Sequence, residues 1–408
     1  MLTLYREDKP DYESCIKYIA KNLDSDGIKI DVDTIEDKID ELTPVVNSMK
    51  ELIEKKYKIN NINSSMQIKN KYLSMYDADS DILKTCTVYN KGKGGKSYSF
   101  SKEVLDSLVE KFDDKLAIDL LAYREKSQTL KSFVSISDCT NPKGFVHPKV
   151  NIGETGRISY SNPALTSINK EFIWDVLAPN EYTNALYVVD ISQQEPWILM
   201  HWLGIQQLID LVESDEDKDF YNALSIAALG EKASGDARNE VKRIWNALTY
   251  GANGVNLKKY GKIVDSDKIV NYFNTLPEIQ EYKNMAWKQV HGSRIGSYEE
   301  RNVVRTYFER EIHIYDNSKA SLLRKILNYR IQGTAADIMV FLVNHISEVL
   351  EDSGLDDLIK IKYTIYDAIV LEVCGKLQTK EVSEYLKELF SHRIEDWIPF
   401  KFKIERVK

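Results

Sequence analysis

Two strand-like runs constrain this chain more than any other feature. One, ALYVVDIS, ends its apolar stretch at Asp190; the other, IKIKYTIYDAIVLEV, carries Asp367 in its middle, some 175 residues later. Both are apolar and β-branched, so both read as buried strands, where an unpaired carboxylate is costly. The sequence between them is mainly helical in pattern. A sheet must therefore close across a helical insertion. Asp367 has no Gly or Asn neighbour, and Ile369, Val370 and Leu371 continue the strand pattern, so a position inside the strand is expected. The alternative is a hairpin turn, which Asp favours.

Two strands could bring Asp190 and Asp367 together. Paired carboxylates raise each other's pKa unless a cation lies between them, and hard divalent cations such as Mg²⁺ favour oxygen ligands. The plainer alternative is one turn residue and one satisfied structural group. A third feature is ARNEVKRIWNALTYGANG, where Arg238, Lys242, Asn246 and Tyr250 recur every four residues along one helical face. Such a row matches successive phosphates of a polyphosphate; a solvated basic stripe is its ordinary fate.

The bulk properties set wide bounds. With 408 residues and 43% hydrophobic content, the chain can bury a large core in two or three subdomains. No apolar run reaches the roughly eighteen residues of a membrane span, and MLTLYREDKPDY resembles neither a signal nor a transit peptide. No membrane association and a cytoplasmic location are expected. Cys15, Cys86, Cys139 and Cys374 form no CxxC spacing, so no cysteine zinc site or disulfide framework is indicated. The net charge of −8 argues against whole-molecule attraction to nucleic acid but leaves room for a basic cleft.

Apolar residues from Ile35 to Ile53 recur at helical spacing, predicting a helix from Asp33 to about Lys56 capped by Asp33 or Thr34. Further helices are predicted near Met66–Tyr76 and from Ser101 to about Arg124, so the first third is mainly helical. The KGKGGKS stretch at Lys91–Ser97 invites a phosphate-loop reading. The required first Gly falls at Asn90, however, and no helical pattern starts at Ser97.

In order, TGRISYSNPALTSIN (Thr155–Asn169), VVDISQQE, RNEVKRIWNALTYG, NYRIQGTAADIM and IYDAIVLEV resemble five motifs of the DNA polymerase I family, the family A DNA polymerases. The earlier DGIKIDV, INSSMQI, GKSYSFSKEVL and YREKSQTLKSF also fall in family order. The resemblance implies an α+β right-hand polymerase fold with an antiparallel-sheet palm and helical fingers and thumb. It assigns the thumb and N-terminal helical region to residues 1–135, the palm to 136–222 and 321–408, and the fingers to 223–320. It covers the polymerase core alone, so no proofreading or 5′ nuclease domain is expected.

The implied activity is template-directed addition of deoxynucleotides to a primer 3′ end. The resemblance implies that Asp190, Asp367 and the Ile191 carbonyl hold two Mg²⁺ ions, with Mn²⁺ able to substitute. Arg238 and Lys242 would bind the incoming triphosphate, with Lys242 the proton donor to pyrophosphate. Tyr250 would guard the nascent pair, and Glu195 would exclude a ribose 2′-hydroxyl. Gln193, Asn246 and Tyr221 fall at the nucleotide site; Arg157, Asn328, Gln332, Lys131, Arg324 and Tyr366 fall at primer-template contacts. Read without the motif, Glu195 is a helix-start carboxylate favoured by the macrodipole, and QGTAAD is a small-residue packing site.

The departures bear on fidelity and sugar discrimination. Asn246 stands where the family has Phe or Tyr, Tyr221 where it has His, Ile191 where it has Tyr, and Gln194 where it has Ile. Ala164, Thr166 and Ser167 replace polar positions, while Tyr366 and Ala368 replace the His and Glu that flank the second Asp. The implied partners are primed DNA and dNTPs, with any exonuclease or processivity factor on a separate chain. The competing readings are a single-subunit RNA polymerase-like enzyme and a catalytically inactive nucleic-acid-binding subunit.

Overall fold

The computed structural model describes the chain except residues 91–94, 169, 253–256, 258–260, 292–301, 317, 366 and 378. Packing divides it into two compact units. The first comprises Met1–Lys29, His147–Ser161 and Ala178–Lys408; the second comprises Ile30–Val146 and Asn162–Leu177. The first 29 residues, which the sequence groups with the N-terminal helices, thus pack in the first unit.

In chain order the first unit contains β1 (Leu2–Leu4), α1 (Tyr12–Ser25), β2 (Lys149–Ile152), β3 (Ile158–Ser161) and β4 (Ala185–Ile191). The helices α2 (Gln194–Leu203), α3 (Gln206–Ser214), α4 (Phe220–Leu229), α5 (Gly235–Thr249), α6 (Ser266–Thr275) and α7 (Pro277–His291) follow. Then come β5 (Val303–Arg305), β6 (Glu311–His313), α8 (Lys319–Asp352), β7 (Ile359–Ile365), β8 (Ala368–Val373), α9 (Thr379–Leu389), β9 (His392–Ile394) and β10 (Phe402–Arg406).

Four of these strands form an antiparallel sheet in the order β7-β8-β4-β10. The central strands β4 and β8 are buried almost throughout, which explains their continuous apolar runs rather than an alternating pattern. At the end of the sheet away from Asp190, a bulge sets the buried Lys362 with Nζ 3.4 Å from Glu372 Oε2. Asp367 does not lie inside a strand. It occupies a turn between β7 and β8, with Ile365 opposite Ala368, so the hairpin reading holds. The apolar residues on either side of it belong to two different strands, which a single continuous run conceals.

Helix α8, 34 residues long, packs against α1, α2 and α7. It is long and apolar enough by composition to cross a membrane, yet two-thirds of its apolar window is buried inside the unit. That burial marks a core helix. Gly333 permits its close approach to the β5–β6 hairpin: a Cβ there would lie 2.8 Å from Thr306 Cγ2.

The second unit is mainly helical. Its long helix Val32–Tyr57 is capped by Asp31, whose carboxylate accepts from the Thr34 N–H at 3.2 Å, so the cap lies upstream of both expected residues. The expected helix from Ser101 is two helices, Lys102–Phe112 and Lys115–Cys139. Asp113 adopts a left-handed conformation between them, and the buried Asp114 caps the second while accepting from the hydroxyls of Tyr72 and Tyr76. Gly95 to Tyr98 pair with Thr87–Asn90 as a hairpin, so no helix N-terminus follows the Gly/Lys stretch and the phosphate-loop reading fails. Lys91 to Gly94 lie outside the described residues.

Candidate active site

The sheet register brings the two aspartates to one edge. Asp190, near the end of β4, stands opposite Ala368, and the Ile191 N–H donates to the Asp367 carbonyl at 2.9 Å. On its other side Asp190 faces Lys403 of β10, whose pKa is raised first by its hydrogen bond to Glu405 and also by the Asp190 charge. Asp367 also borders a small cleft lined by Arg157, Gln194, Ala336 and Thr364.

Glu195 lies in the first turn of α2, after Gln193 in a left-handed conformation. One carboxylate oxygen accepts from the Arg157 guanidinium and the other from the Tyr250 hydroxyl at the end of α5. Burial pushes this carboxyl up from its ordinary value; the Arg157 charge opposes the shift and the Asp367 charge adds to it. Glu195, Arg157, Tyr250 and Asp367 are therefore electrostatic neighbours.

The four-residue row on α5 is real, and Tyr221 of α4 runs beneath it. The Arg238 guanidinium lies 5.2 Å from the Tyr221 ring centroid and Lys242 Nζ 5.8 Å. The Tyr221 hydroxyl donates to Asn246 Oδ1 at 3.4 Å, so the two unusual residues of this site are bonded to each other. Arg238 is held by Asp219, with Nη2 2.5 Å from Oδ2. Asp219, which the motifs do not single out, also caps α4; its only signal in sequence is an Asp at a helix start. Gln193 spends its amide within the same network, donating to Asp219 at 2.8 Å and accepting from the Phe220 N–H at 2.8 Å.

Gly251, at φ +86°, follows Tyr250, and a Cβ there would lie 3.3 Å from Arg324 Cγ, so this glycine lets Arg324 lie against the end of α5. Asn328 and Gln332 sit one turn apart on α8, half-buried; Asn328 Oδ1 is buried and accepts no hydrogen bond among the described residues. Lys131 is an exposed residue of the Lys115–Cys139 helix in the second unit. Tyr366 lies outside the described residues. A separate, larger cavity is lined by Trp202, Tyr282, Arg305 and Arg330.

This architecture is shared with known proteins. The chain superposes on the POL domain of Pol1 from M. smegmatis, solved in complex with DNA primer-template and dNTP, with a TM-score of 0.76 and 19% identity, covering 97% of this chain and 69% of that one. The likeness shows an α+β polymerase fold. In sequence it is similar to the DNA polymerase I of Pseudomonas aeruginosa, 28% identical over 72% of this chain and 33% of that protein. It is also similar to the DNA polymerase I of Bacillus subtilis, 22% identical over 95% of this chain and 44% of that protein. The chain thus spans between a third and a half of these relatives. The family description DNA polymerase family A matches residues 32–406, nearly the whole sequence, and the chain belongs to that family.

Proposed function

We propose that this chain is a template-directed DNA polymerase that extends a primer 3′ end with deoxynucleotides. The observation that carries the reading is the Ile191–Asp367 main-chain hydrogen bond, which ties the Asp190 strand to the Asp367 turn. Of the thumb reading, residues 1–135, the part from 30 to 135 falls in the second unit, while the fingers reading and most of the palm reading fall in the first.

The donor set fits Mg²⁺. Among the described residues no group of three or more His, Cys, Asp or Glu could hold a metal, but Mg²⁺ is ordinarily held by one or two carboxylates with substrate phosphates and water completing the shell. Asp190, Asp367 and the Ile191 carbonyl would hold two such ions. When bound they supply a lowered pKa for the primer hydroxyl and neutralisation of the triphosphate charge.

The other roles belong to side chains. Arg238 and Lys242, one helical turn apart, bind the triphosphate by charge-assisted hydrogen bonds. Arg238 exchanges part of its pairing with Asp219 for phosphate. Lys242 donates a proton to the leaving pyrophosphate oxygen. Glu195, braced by Arg157 and Tyr250, forms the wall against a ribose 2′-hydroxyl. Asn328, Gln332 and Arg157 present polar groups to the minor-groove acceptors common to all correct pairs.

Primer extension on a primed DNA template with Mg²⁺, using dNTPs and rNTPs in parallel, tests this. Incorporation of dNTPs with at least about tenfold preference over rNTPs is expected, a difference of ~1.4 kcal/mol in transition-state binding. A clear rNTP preference would favour the RNA polymerase-like reading, and no extension of either would favour the inactive binding subunit.

A further inference from the structure

Asp337 of α8 is the most deeply buried carboxylate beside the site, with a fully inaccessible side chain inside the apolar stretch TAADIMVF. Burial raises its pKa, opposed mainly by the Arg310 charge. A buried charge of this kind persists only with good partners. Asp337 Oδ1 accepts from Arg310 Nε at 2.6 Å and from the Tyr12 hydroxyl at 2.8 Å. The Tyr12 ring also lies against the guanidinium, 4.9 Å from its carbon.

The far side of the same guanidinium faces the loop that carries Arg157. Arg310 Nη2 donates to the Thr155 carbonyl at 2.8 Å and to the Gly333 carbonyl at 3.3 Å. Gly156, at φ +93°, is pressed so closely onto this pair that a Cβ would come within 2.7 Å of Arg310 Nη2 and closer still to the Tyr12 hydroxyl. One turn of backbone bonds completes the loop: Gly156 N–H to Gly153 carbonyl and Gly153 N–H to Arg157 carbonyl, both at 2.9 Å.

We propose that Arg310 is a positioning residue for Arg157. Its guanidinium, oriented by Asp337 and Tyr12, fastens the Thr155–Arg157 loop to α8, and so aims the Arg157 side chain at Glu195. The planar fork is required because one side chain bonds a carboxylate in one direction and two carbonyls in another; a lysine offers a point charge instead. Arg310 acts on the reaction through Arg157, so the inference rests on the polymerase reading for its consequence but not for its geometry.

Two measurements on R310K, R157A, the double variant and Y12F separate these. Amide hydrogen exchange over residues 150–160 reads the geometry: R310K should accelerate exchange at Gly156 at least tenfold without accelerating that of β8, and Y12F should do so more weakly. Unchanged exchange at Gly156 in both variants overturns the proposal. Primer-extension kcat/KM reads the coupling: R310K should lose at least tenfold in the wild-type background and less than threefold in the R157A background. Equal losses in the two backgrounds would show a merely structural role and overturn it. If exchange accelerates as expected but the wild-type protein extends no primer, the positioning of the loop stands and the polymerase reading falls.

Discussion

Glu195 is held in its folded environment against its own ionisation. Its carboxyl is raised above the ordinary value chiefly by burial, so the neutral form is favoured on folding. A group raised in the folded state contributes stability below its unfolded pKa that is lost as pH rises through the folded value. E195Q, an uncharged isostere, should therefore melt roughly 1–3 °C above wild type at pH 8 and show a smaller gap near pH 4.5. Its extension rate should fall about tenfold, because Arg157 and Tyr250 lose a charged acceptor. A lower melting temperature at pH 8 would show that the ion pair outweighs the burial. At this scale the sequence was readable where chemistry is local and misleading where it is not. By its apolar neighbours Asp367 reads as a charge within a strand, yet it is a turn residue. Asp337, by contrast, does sit within an apolar helical stretch, with a fully inaccessible side chain. Its partners Arg310 and Tyr12 lie 27 and 325 positions away, a separation no local pattern encodes.

Elements with strong periodicity were legible because a helix repeats its faces. Arg238, Lys242 and Asn246 lie along α5 as their spacing requires, and Tyr250 caps its C-terminus. The break at Asp113 and Asp114 was not legible, since both flanking segments keep helical composition and the decisive contacts come from Tyr72 and Tyr76. Helix α2 and the chain around β9 share a second unread feature. His201 stacks on Trp197 and Trp397, with ring centroids at 5.9 and 5.0 Å, and His392 stacks on Phe400 at 5.0 Å. Burial lowers each imidazole to about 4. With folded values below the unfolded one, the stability these rings contribute is present above about pH 6.5 and is lost as pH falls toward 4. H201F should match wild type in melting temperature at pH 7.5 and exceed it by roughly 3 °C at pH 5. Parallel pH profiles for the two proteins would contradict this account.

For the molecule as a whole, the order of five motifs identified the family, while the sheet that unites them needed the structure. Nothing between Asp190 and Asp367 announces that β4 and β8 are neighbours, because strand pairing across a long helical insertion is set by tertiary packing. Once paired, the register places Asp190 opposite Ala368, beside the turn holding Asp367. With Ala368 in place of a third acidic side chain, the proposed chemistry depends on these two residues. The most direct measurement is single-turnover primer extension with Mg²⁺ and dNTPs by the wild-type protein, D190N and D367N, each first shown to be folded and to bind primed DNA. Each substitution should lower the rate by at least ~10³-fold, about 4 kcal/mol of transition-state stabilisation, while leaving primed-DNA affinity within a few-fold. Extension by either variant at a rate close to wild type would contradict the assignment of Asp190 and Asp367 as the reactive pair.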